Sequence, residues 1–154
     1  MDKAIPQFSG MNILIDLYGT ASVGKSSTLC ELITLLKKSP TYRSIQSQEL
    51  SGNDLWEIFE YNGKTVGVIT AGDPGCEWAV DEFLDSCLAH SCNVIFTASR
   101  TRGAIFYKVK TFADEHGYMF VETSPLYVRI PNGYQGDDYA PLHTIFATML
   151  TNLI

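Results

Sequence analysis

The sequence predicts a three-layer α/β/α fold: a mostly parallel sheet of about five strands, one antiparallel strand at its edge, and helices on both faces. Three observations predict it. Apolar runs of strand length alternate with segments whose apolar residues recur at helical spacing. An Asn62-Gly63 pair separates two β-rich runs. Hydrophobic residues make up 45% of the 154 positions and charged residues 18%, which suits one core rather than a disordered chain. With no repeat, linker or low-complexity tract, residues 1–154 read as a single domain.

Each element has its own signal. Residues 11–17 (MNILIDL) form an apolar run of buried-strand length, and Leu29, Leu32, Ile33 and Leu36 then line one face of a helix ending before Pro40. Residues 40–54 are polar and rich in turn formers, so they read as a loop or a weak edge strand. The segment DLWEIFEYNGKTVGVIT reads as a hairpin, because a type I′ turn needs positive φ at both central residues and Asn-Gly supplies it. Trp56, Phe59 and Tyr61 within it read as sheet packing.

After a break at AGDPG, Val80, Phe83, Leu84, Cys87 and Leu88 make a second helical stripe. CNVIFTAS is a buried strand, followed by a helix carrying Ile105, Val109, Phe112 and Ala113 and capped by Gly117. YMFVETS is a further strand. A loop over 131–138 leads to a last helix with Leu142, Ile145, Met149, Leu150 and Leu153. That helix either docks on the sheet or offers a surface for an oligomer.

A formal charge of −6 and a pI near 4.9 argue against nucleic acid as partner, because phosphate-backbone binding needs a basic stripe. No stretch approaches the roughly 20 apolar residues of a membrane span. The short apolar run near the start is broken by Asp16, unlike a signal peptide. The expectation is a soluble, cytoplasmic protein. Cys30, Cys76, Cys87 and Cys92 have no CxxC spacing and read as buried reduced thiols, while His90, His116 and His143 show no ligand spacing.

One motif carries chemistry. Gly19, Thr20, Ala21, Ser22, Val23, Gly24, Lys25, Ser26 and Ser27 spell GTASVGKSS between the first strand and the first helix, which fits G-x-x-x-x-G-K-[ST]. Glycines let successive amides turn toward a phosphate without Cβ clashes. The helix that follows aims its unpaired N–H groups and positive dipole end at the same anion. Lys25 then reaches the β- and γ-phosphates and the Ser26 hydroxyl faces Mg²⁺.

The stretch resembles the Walker A loop of P-loop NTPases, and the β/α alternation resembles that superfamily across nearly the whole chain. The resemblance implies Mg²⁺ and a nucleoside triphosphate as cofactors, and an acid at the end of a neighbouring strand. Asp73 is the carboxylate near the end of TVGVIT, although Thr70, Ala71 and Gly72 intervene. In one register Asp73 is the metal-side acid or catalytic base, as in small-molecule kinases with a glycine-rich loop there. In the other, TAGD resembles the TAG after the metal aspartate of Ras-like GTPases, with Ile69 in the acid's place and Asp73 positioning water. Asp16, three residues before the loop, is expected to point elsewhere.

Arg100 and, behind it, Arg102 follow the strand NVIFTAS and suit neutralisation of charge on a transferring phosphate. Glu77 and Trp78 are further crevice candidates. GYMFVETSPLYV is similar to a late strand and loop of Ras-like proteins, but a guanine-reading Asn/Thr-Lys-x-Asp is missing and TASR stands in its place. ATP is therefore the default and GTP the alternative. One helix between AGDPG and the next buried strand resembles compact kinases more than GTPases. The expected function is an ATP-using hydrolase or small phosphotransferase with Lys25, Asp73 and Arg100 catalytic and Ser26 and Asp73 at the metal. An unidentified small-molecule acceptor or protein partner would complete it. The alternative is a nucleotide-gated regulatory switch.

Overall fold

The periodicities settle into ten elements in a computed structural model that describes residues 11–19, 25–100, 103–124 and 140–154. They are β1 (Ile13–Tyr18), α1 (Lys25–Lys38), β2 (Arg43–Glu49), β3 (Leu55–Tyr61), β4 (Lys64–Ile69), α2 (Glu77–Ala89), β5 (Val94–Ser99), α3 (Ala104–His116), β6 (Met119–Thr123) and α4 (Ala140–Thr151). The strands form a six-stranded sheet in the order β2-β3-β4-β5-β1-β6. β1 pairs in parallel with β5 and β6, and β4 with β5.

β3 is the one reversed strand, antiparallel to both β2 and β4. Its hairpin with β4 turns at Asn62 (φ 47°) and Gly63 (φ 78°), the left-handed pair expected there. The antiparallel strand is not at the edge, however, as the sequence reading has it. Part of the polar 40–54 segment becomes β2 and covers β3. Its residues are almost all exposed, and a bulge interrupts its register between Ser44 and Gln46. A short, polar, bulged strand is what a sheet edge tolerates, and β2 is the weak edge strand that the sequence reading offers there beside a loop.

Alternation along the strands divides the core. Ile13, Ile15 and Leu17 face α1 and α4, where Leu29, Leu32, Ile33 and Leu36 meet Phe146, Ala147 and Leu150. Leu14, Ile58, Ile69 and Ile95 face α2 and α3, against Val80, Phe83, Cys87, Ile105 and Val109. Gly117 caps α3 at φ 75°, its N–H donating to the Ala113 carbonyl. Trp56 and Phe59 are buried, and Tyr61 stacks on Tyr42 with ring centroids 4.7 Å apart. All four cysteines are free, but only Cys87 and Cys92 are buried as expected, and Cys30 and Cys76 are partly exposed.

Two helix faces differ from expectation. Leu88 ends the α2 stripe exposed, and on α4 Ile145 and Met149 face outward while Phe146, Ala147 and Leu150 pack on α1. Apolar residues occur nearly all round α4, so their spacing does not select a face; docking against α1 does. Among the described residues no helix is long and apolar enough to cross a membrane.

Candidate functional site

The parallel strands end on one edge of the sheet, and the reversed β3 begins there. Gly19, Thr70, Arg100 and Ser124 follow β1, β4, β5 and β6, and Asp54 precedes β3. Ligands of open α/β sheets bind along such an edge.

Gly19 makes the exit from β1. Its N–H extends the pairing with β5 by donating to the Ser99 carbonyl at 3.2 Å, and its φ of 149° belongs to a region side chains rarely adopt. Thr20, Ala21, Ser22, Val23 and Gly24 lie outside the described residues, as do Arg102 and the 131–138 loop. Lys25 opens α1 and folds back, its Nζ donating to the Gly19 carbonyl at 2.7 Å. Only 6% of this lysine is exposed. Burial lowers its pKa; Asp73 and Asp16 oppose the shift and Arg100 adds to it. The charges flagged in the sequence therefore share one electrostatic neighbourhood. Ser27 is exposed on α1.

Asp73 reaches this neighbourhood by an unexpected route. β4 is not the neighbour of β1, because β5 lies between them. The segment after Thr70 crosses the end of β5, where Gly72 packs so closely that a Cβ would lie 2.5 Å from the Ala98 carbonyl oxygen. Asp73 then accepts a charge-assisted bond from Arg100 Nε at 3.1 Å, with both side chains substantially exposed. Gly72, Pro74, Glu77, Arg100 and Gly103 line a small cavity of about 90 Å³. The Glu77 carboxylate accepts from the Gly75 N–H at 2.8 Å, whereas Trp78 is 53% exposed.

The Ser26 hydroxyl donates to the Thr70 carbonyl at 2.8 Å. Thr70 in turn donates its own hydroxyl to Asp54 Oδ1 at 2.8 Å, and its N–H to the Leu55 carbonyl at 3.0 Å. Sequence reasoning missed Asp54. The DL at the head of a β-rich run was its only signal, and its place depends on the direction of β3.

Asp16 lies in the core beside the site. It faces the α2–α3 side, fully buried, and accepts from Thr97 Oγ1 at 2.7 Å and Ser99 Oγ at 2.5 Å. Burial raises its pKa above the ordinary 3.8; the two hydroxyls and Lys25 pull it back only in part, and Glu122 adds to the rise. The folded state thus holds this proton more tightly than the unfolded chain. The stabilisation is fully present below 3.8 and is lost as pH rises through the folded value. Asp16→Asn, which has no charge to bury, is expected to gain on the wild type in urea melts as pH rises above 3.8. A stability difference that does not vary with pH would refute this account of Asp16.

Comparison with protein-family models, curated proteins and solved structures finds no match for this chain.

Proposed function

We propose that the chain is a Mg²⁺-dependent P-loop protein that binds a nucleoside triphosphate, ATP by default, and acts on its terminal phosphate as a hydrolase or small phosphotransferase. One observation carries the reading. A glycine with φ of 149° ends a buried strand, and a Lys-Ser pair opens the next helix, the lysine folded back onto that glycine's carbonyl. Spacing, strand and helix all match what a phosphate-cradling loop requires.

The chemistry follows from the neighbours. Burial disfavours the charge on Lys25 and lowers its pKa, and an arriving polyanion would favour that charge again. Arg100 would neutralise charge on a departing or transferring phosphoryl group, with its guanidinium paired to Asp73. The Asp73 carboxylate is also the group there able to orient a water or an acceptor hydroxyl. The hydroxyl of Ser26 and the oxygens around Thr70 are hard donors that fit Mg²⁺, which when bound neutralises charge on the β- and γ-phosphates. Among the described residues no group of three or more His, Cys, Asp and Glu forms a metal cage.

Mg-ATP at about 100 times its Kd is expected to raise the melting temperature by about 5–10 °C, the equivalent of about 2.7 kcal/mol of linkage. Phosphate release without an added acceptor would mark a hydrolase, and product formed only with an acceptor a phosphotransferase. A melting temperature unmoved by both ATP and GTP would overturn the reading.

A further inference from the structure

We infer that Asp54, delivered by the reversed strand β3, is the carboxylate on the magnesium side of the site. The inference rests on the phosphate-binding reading above and adds to it a residue drawn from a different part of the chain.

The surroundings of Asp16, Asp73 and Asp54 separate them. Asp16 faces the α2–α3 core, and each of its oxygens is taken by a hydroxyl, from Thr97 and from Ser99. Asp73 is paired with the Arg100 guanidinium at 3.1 Å, so much of its charge is already answered. Asp54 stands apart from both. One of its oxygens accepts from Thr70, and among the described residues its other oxygen accepts no hydrogen bond. It is therefore fixed in position with an acceptor left over.

Its position is the one the chemistry needs. The Ser26 hydroxyl, the metal-facing group of the loop, bonds the carbonyl of Thr70, and Asp54 bonds the hydroxyl of the same residue. The charge of Asp54 also reaches Cys30, one turn along α1 from Ser26, where it adds to burial in raising the thiol's pKa. β4 ends at Ile69, is followed by Thr70, and supplies no acid of its own. Because β3 runs antiparallel, with Trp56 opposite Ile69, its amino end brings Asp54 beside that gap. Mg²⁺ commonly keeps several waters and takes only one or two protein carboxylates, so one carboxylate able to accept from metal-bound water suffices.

The test compares ATP affinity in Mg²⁺ with affinity in EDTA. The wild type is expected to bind at least about tenfold more tightly with Mg²⁺. Asp54→Asn, whose side-chain oxygen still accepts from Thr70, is expected to cut that gain below about threefold, while Asp73→Asn keeps it. Should Asp54→Asn not fold, Thr70→Val serves instead, since it removes the hydroxyl that fixes Asp54 and keeps the carbonyl; a reduced gain is again expected. Asp54→Asn with the full gain, or loss of the gain in Asp73→Asn alone, overturns the inference. A wild type that binds ATP with no Mg²⁺ gain overturns it too, and leaves the phosphate-binding reading standing. A wild type that binds neither ATP nor GTP overturns both.

Discussion

Lys25→Ala is expected to weaken ATP binding at least about 100-fold, about 2.7 kcal/mol, while the ligand-free protein melts within a few degrees of the wild type. The two halves of this result come from the same geometry. Lys25 is 6% exposed, and its Nζ has the Gly19 carbonyl at 2.7 Å. Holding an ammonium there costs solvation, which is why its pKa falls. Alanine removes that cost together with the hydrogen bond, so the fold loses little on balance. A triphosphate loses the one cation of the motif aimed at its β–γ bridge. Calorimetric titration of both proteins with Mg-ATP, beside their ligand-free melts, measures both quantities. A variant that binds as tightly as the wild type would remove Lys25 from the site. One that binds poorly because it is unfolded would make the lysine a structural residue.

The second large effect is expected at Gly72. A Cβ there would lie 2.5 Å from the Ala98 carbonyl oxygen and 2.6 Å from its carbon, distances real Cβ atoms do not adopt. Both atoms are backbone at the end of β5, so no side-chain rotation relieves the clash. Gly72→Ala must push the Asp73 segment off that strand, at a cost of about 3 kcal/mol. For a chain of this length that is a fall in melting temperature of roughly 6–12 °C. The displaced segment carries Asp73, so turnover should fall as well, even at temperatures where the variant is folded. Gly63→Ala makes a useful contrast: it too is strained by positive φ, yet its Cβ would meet nothing within 4 Å. Equal stability of Gly72→Ala and wild type would mean that the crossing at β5 is looser than its geometry states.

Much of this architecture is legible in the order of the residues. Buried strands, the Asn62-Gly63 turn, the Gly117 cap and the helix stripe of Leu29, Leu32, Ile33 and Leu36 all follow from local rules, and local rules suffice for them. The face of α4 was not legible, because Phe146 and Ile145 are equally apolar and the choice lies with α1. Nor was the strand order. Whether β5 or β4 stands beside β1 depends on crossovers between distant segments, and no spacing encodes it.

The site divides along the same line. Lys25 and Ser26 were readable as the residues that open the first helix, because glycine, lysine and serine are contiguous in the chain. Asp73 and Arg100 were readable as strand-end residues, although their mutual bond was not. Asp54 and Asp16 were not, since one owes its place to the direction of β3 and the other to the hydroxyls of β5.

β5 is a spacer as much as a strand. On one side its Ser99 carbonyl tethers Gly19, and on the other its Ala98 carbonyl abuts Gly72. The tip of one peptide ribbon thus acts as a shared gauge, setting how far the lysine half of the crevice stands from the carboxylate half.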